Sequence, residues 1–124
     1  MAQQNERGSA AVEFAIVLPV LLMLVMGIIE FGHAYNAQLT LTQAAREGVR
    51  VMAISNDPAK ARSATKMAAT SLFSSITDGH VVISPAACTP GTQASVTITY
   101  PLSTITGLVS PITLTGKGVM RCGG

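Results

Sequence analysis

A chain of 124 residues with eight Lys and Arg against six Asp and Glu, a formal net charge of +2, lacks the positive excess of a polyanion-binding protein. Charged residues make up 11% and apolar residues 48% of it, which excludes an ordinary water-soluble domain with about a quarter of its residues charged. Direct nucleic-acid binding is not expected, because the Lys and Arg form neither a run nor a patch interleaved with aromatics.

Residues 1–8 (MAQQNERG) are short and polar. From Ala10 to Ile29 the chain is apolar apart from Glu13, and Phe14 to Ile29 holds no ionisable residue. Such a stretch spans about 30 Å as a helix, the thickness of a bilayer's hydrocarbon. A cleaved secretory signal fits less well, since the apolar run is long, Glu13 lies inside it, and EFGHAYNAQLTLTQ gives no small-residue cleavage site. Pro19 is tolerated in a membrane helix as a kink. Beyond the apolar run, Phe31, Ala34, Gln38, Leu41, Ala45, Val49 and Met52 recur at helical spacing, and no breaker intervenes before Ser55-Asn56-Asp57-Pro58. One continuous helix of roughly 70 Å, from about Ser9 to Ile54, is expected, its lower half in lipid and its upper half leading a head.

A second helix opens with Asp57 as N-cap and Pro58 at its first position, and is expected to run to Ile76 with an apolar stripe of Ala61, Ala64, Met67 or Ala68, and Leu72. After His80 the texture turns to Val, Ile and Thr. The segments HVVIS, ASVTITY and ITLTGKGVM alternate as strands, and Pro85, Pro90-Gly91, Pro101 and Pro111 mark turns. The expected class is therefore α+β: a long transmembrane helix continuing into a small head with a second helix and a three- to four-stranded antiparallel sheet. Its parts are residues 1–8, the helix 9–55 with a membrane part at about 10–29, and the head 56–124.

Cys88 and Cys122 both lie beyond the apolar stretch, and only one pairing is open to them. In an oxidising compartment they form a disulfide; otherwise they are two buried thiols. Its loop closure is worth about 3.8 kcal/mol, large for so small a head.

The most specific pattern is Gly8 followed by Ser-Ala-Ala-Val-Glu-Phe, with Glu13 fifth after Gly8. The stretch from Arg7 through Pro19 and Gly27-Ile-Ile-Glu-Phe-Gly to Ala44-Ala-Arg-Glu-Gly-Val-Arg50 closely resembles the TadE-like family, pilin-like proteins of tight-adherence (Flp) pilus systems. Tyr100-Pro101 and the strand ending Val-Met-Arg121 look like the sheet region of such proteins. The resemblance implies that residues 1–8 are a prepilin-type leader, cut after Gly8 by a prepilin peptidase to leave Ser9 as the new N-terminus. It gives Glu13, beside Phe14, a part in processing or assembly. It also implies a single-pass protein of the bacterial inner membrane, with a cytoplasmic N-terminus and an extracytoplasmic head that can end in the extracellular pilus. Arg7 before the helix and Arg46 and Arg50 beyond it do not set that orientation by the positive-inside rule, so it rests on the resemblance and the cysteines.

Read from its surroundings alone, Glu13 is equally an interfacial carboxylate favoured by the helix dipole, and Glu30 is a carboxylate at the opposite membrane boundary. Gly116-Lys117-Gly118 departs from a phosphate loop, having Pro111 five positions earlier and Gly118 where Ser or Thr would hold magnesium. His33 and His80 share no ligand spacing with each other or the cysteines, and no Gly-x-Ser-x-Gly or acidic pair is present. No catalytic residue, metal or cofactor is expected. The implied role is a minor pilin or pseudopilin in building or initiating an adhesive Flp-type pilus, with prepilin peptidase, other pilin-like subunits, the assembly machinery and the lipid bilayer as partners. The alternatives are a major filament pilin, usually little more than its helix, and a membrane-anchored surface protein that never enters a filament.

Overall fold

The computed structural model describes residues 2–72 and 74–123, with the backbone alone at residues 2–4. Met1, Phe73 and Gly124, which belong to the expected leader, second helix and head, lie outside the described residues.

Helix α1 is Ala2–Ser55, about 80 Å of unbroken helix that runs through Pro19. No loop separates its apolar lower part from its amphipathic upper part, as the missing breakers implied. It begins earlier than the expected Ser9, because the Gln, Asn, Glu and Arg before Gly8 include good helix formers. One glycine costs about 1 kcal/mol, which the turns on both sides override. The helix ends at Asn56, which turns left-handed (φ 51°) and donates its N–H to Met52 O at 2.9 Å. Asp57 then caps α2, accepting from the N–H groups of Ala59 (3.0 Å) and Lys60 (3.3 Å), with Pro58 at the first helical position.

Helix α2 is Pro58–Ala68, shorter than the expected run to Ile76. Past Ala68 the chain tightens into turns, Ala69 N–H bonding Lys66 O and Leu72 N–H bonding Ala69 O. The buried Tyr100 hydroxyl then takes the backbone of Ser74, accepting from its N–H (3.1 Å) and donating to its carbonyl (3.0 Å). Those polar groups are thereby withdrawn from any helix. The packed face of α2 also differs: Ala61, Thr65 and Ala69 are buried, whereas Met67 is 72% exposed. Thr65 hides its hydroxyl by donating to Ala61 O at 2.8 Å, which is why a polar residue fits the buried stripe.

A 3₁₀ turn at Asp78–His80 leads into strands β1 (Val81–Ser84), β2 (Gln93–Leu102) and β3 (Ile112–Arg121), an antiparallel sheet in the order β1-β2-β3. The alternation along β2 is regular: Ala94, Val96, Ile98, Tyr100 and Leu102 face the core. Pro101, expected in a turn, is inside β2 opposite Thr113. The pairing with β1 stops at Val81↔Ile98, so Pro101 lies where β2 has one neighbour and a missing N–H is tolerated.

The upper half of α1 is the spine of the head, with Ala37, Leu41, Ala44, Ala45, Val49 and Met52 buried against the sheet and α2. Phe31, expected on this stripe, is instead exposed and stacks on Tyr35 with ring centroids 6.3 Å apart. Small residues bring the layers close. A Cβ built on Gly116 would stand 2.6 Å from the carbonyl of Leu41, and one on Gly118 would stand 2.7 Å from Ala45 O. The Gly116-Lys117-Gly118 segment is thus a flat stretch of β3 laid on the α1 backbone. Cys88 and Cys122 form a disulfide with Cα atoms 5.7 Å apart. Around it, Cys88 N–H donates to Asn56 Oδ1, Cys122 N–H to Thr92 O (2.8 Å) and Gly123 N–H to Ala53 O (3.2 Å). The Cys122-Gly123 segment is therefore fastened to the end of α1.

Candidate membrane and assembly site

The lower part of α1 leaves the head as a bare rod. Its side chains from Asn5 to Ile29 are exposed, among them Phe14, Ile16, Val20, Leu22, Met23 and Ile28. This helix is long and apolar enough to cross a membrane. The exposed surface has the character of a protein core, which water does not tolerate at this length and lipid does.

Gly8, Ser9, Glu13 and Phe14 lie on consecutive turns of this rod, exposed and in helical backbone. Ser9 and Glu13 are four residues apart and so share a face. A Cβ on Gly8 would meet nothing within 4 Å, so a larger residue there is free of packing conflict. Among the described residues, Glu13 has neither a hydrogen bond nor an ion pair, whereas Glu47 pairs with Arg50 on the upper half of α1 and Lys66 pairs with Asp78 in the head. Pro19 is two turns further along the same rod.

At the other end of the apolar run the structure adds a residue whose role sequence reasoning missed. Glu30 is bound by the β2–β3 loop: its carboxylate accepts from Ile105 N–H (3.2 Å), Thr106 N–H (2.8 Å) and the Thr106 hydroxyl. The carboxylate caps an otherwise open turn, and it ties the foot of the sheet to α1 at the edge of the apolar segment. A signal for this in the sequence would have been a carboxylate at the boundary plus a long loop of Ser and Thr, but nothing in the spacing joins groups 75 and 76 positions apart.

An apolar rod of membrane length continuous with a small α+β head gives the lollipop architecture that the sequence implied. The family model described as "TadE-like protein" matches residues 8–50, which include Gly8, Glu13, Pro19, Glu30 and the Ala44-Ala45-Arg46 segment. The match lies wholly within α1 and ends before α2 and the sheet, so the likeness to the TadE-like family is confined to that helix. Comparison with curated proteins and with solved structures gives no match.

Proposed function

We propose that this chain is a pilin-like structural subunit, a minor pilin or pseudopilin, that helps assemble or initiate a tight-adherence (Flp-type) pilus and carries out no catalysis itself. The observation that carries the reading is Gly8 set five residues before Glu13 at the start of a bare apolar rod, inside the stretch that matches the TadE-like family. Residues 1–8 are the leader, removed after Gly8 by a prepilin peptidase at the cytoplasmic face of the inner membrane. The head is extracytoplasmic, in keeping with its disulfide. Cleavage creates an ammonium on Ser9, one turn from the carboxylate of Glu13. Between neighbouring subunits these opposite charges pair as rods are drawn from lipid and pack, offsetting desolvation and setting axial register. The α+β head built on the rod supports a minor rather than a major subunit.

N-terminal sequencing of protein from native membranes or sheared pili tests the reading directly, with Ser9 expected as the first residue. Gly8→Leu, which the open surroundings of Gly8 accommodate, is expected to leave an uncut precursor of larger mass. Glu13→Gln is expected to insert and be cut, yet to leave the surface with few pili. Retention of residues 1–8 in functional assemblies, or normal piliation by Glu13→Gln, would favour a plain membrane anchor instead.

A further inference from the structure

We propose that the β2–β3 loop, residues 103–111, is a second membrane-contacting element, whose tip at Leu108 and Val109 enters the lipid leaflet nearest the head alongside α1. The inference rests on the reading that residues 10–29 of α1 cross a membrane.

Four observations point to lipid. From Leu102 to Leu114 the chain carries no ionisable residue. Within that stretch Ile105, Leu108, Val109 and Ile112 are exposed, Leu108 to 74%, which is a costly arrangement in water. The loop does not project sideways from the sheet. Thr106, Leu108 and Val109 share a shallow cleft with Met23, Met26, Gly27 and Glu30 of α1, so the tip lies beside residues of the apolar rod. Met23 is about 10 Å along the helix axis from Glu30, which sets the depth the tip reaches below that boundary.

Part of the loop's backbone is also satisfied within the protein, which suits a medium that offers no hydrogen bonds. Ile105 and Thr106 donate their N–H groups to Glu30, and Leu108 donates its own to Thr106 Oγ1 at 3.3 Å. Gly107, at φ +72°, makes the turn that brings these donors round. A loop in water needs no such partners, whereas in lipid each unsatisfied donor costs several kcal/mol. Glu30 holds the loop down, its carboxylate accepting from three donors of that loop. The occupant this surface fits is an acyl-chain environment at the membrane interface.

The protein has no tryptophan, so single-tryptophan variants report position without interference. The full-length chain carrying Val20→Trp on the rod, Leu108→Trp on the loop or Val82→Trp on β1 is reconstituted in phosphatidylcholine–phosphatidylglycerol vesicles whose acyl chains are brominated at shallow or deep positions. Val20→Trp is expected to be quenched by bromine, Leu108→Trp to be quenched most by shallow bromine with blue-shifted emission, and Val82→Trp to be unaffected. Adding Glu30→Ala is expected to release the loop, restoring much of the Leu108→Trp emission while Val20→Trp stays quenched. Quenching at Val20→Trp but none at Leu108→Trp overturns the loop proposal and leaves the membrane rod intact. Absence of quenching at both overturns the rod and the loop together. Blue-shifted, unquenched emission at Leu108→Trp that appears only at high protein-to-lipid ratio also overturns the proposal, because a second copy of the chain then covers the tip.

Discussion

Glycine at position 118 decides how closely β3 lies on α1. An alanine methyl group there would meet the carbonyl of Ala45 at 2.7 Å and the Arg46 nitrogen at 2.9 Å, both backbone atoms that cannot rotate away. Gly118→Ala is therefore expected to push the sheet off the helix and lower stability by about 1–3 kcal/mol. For a head of this size that is a drop of about 4–8 °C in Tm per kcal/mol, readable by circular dichroism of the detergent-solubilised protein. A smaller effect is expected at Asp78. Its carboxyl is held below the usual aspartate range by the hydrogen bond from Lys66 (2.7 Å) and by the charges of Lys66 and Arg62. A depressed carboxyl adds stability above its unfolded value, about pH 4, and loses it as pH falls through the folded value. Wild-type Tm should thus exceed that of Asp78→Asn slightly at pH 6, and the two should converge as pH falls through the folded value of the carboxyl. The gap stays small because both partners are exposed. Single residues were unevenly legible in the sequence. The Asp57-Pro58 cap declares itself through spacing to near neighbours. Glu30 and Gly118 do not, since their roles depend on partners at Thr106 and Ala45, many positions away.

The elements were easier to read where a single physical cause sets them. The continuity of α1 follows from the lack of a breaker, and the β2 alternation Ala94, Val96, Ile98, Tyr100, Leu102 follows from one buried face. The end of α2 was not legible, because what stops it is the Tyr100 hydroxyl on the Ser74 backbone, a contact between elements that local propensity cannot show. Pro101 misled for a related reason: proline in a strand is acceptable only where the neighbouring strand has ended, and β1 is short. The Cys88–Cys122 bridge, by contrast, was the one pairing available, and it closes the segment that holds all of β2 and β3. Replacing both cysteines by serine is expected to lower the stability of the head by about 3.8 kcal/mol through regained loop entropy. The thermal transition of the sheet signal checks this, and reducing agent should reproduce the effect in the wild type while leaving the double variant unchanged.

For the whole molecule, the places where the head is fastened to α1 matter more than their number. One is Glu30 gripping the β2–β3 loop; the other is the end of α1, where Asn56 holds Cys88 and Ala53 holds Gly123. They are separated by about 39 Å of helix. A head fixed to a rod at one end would peel under load, its contacts failing one after another. Fixed at both ends, it is loaded in shear when the rod is pulled along its axis, and every contact between them shares the force at once. Any tension running through a filament of such rods would reach the head in this parallel geometry. Axial pulling on the oxidised protein in optical tweezers should then show one high-force rupture of the head, and Glu30→Ala should convert it into smaller, earlier steps that begin at the loop and travel toward the disulfide.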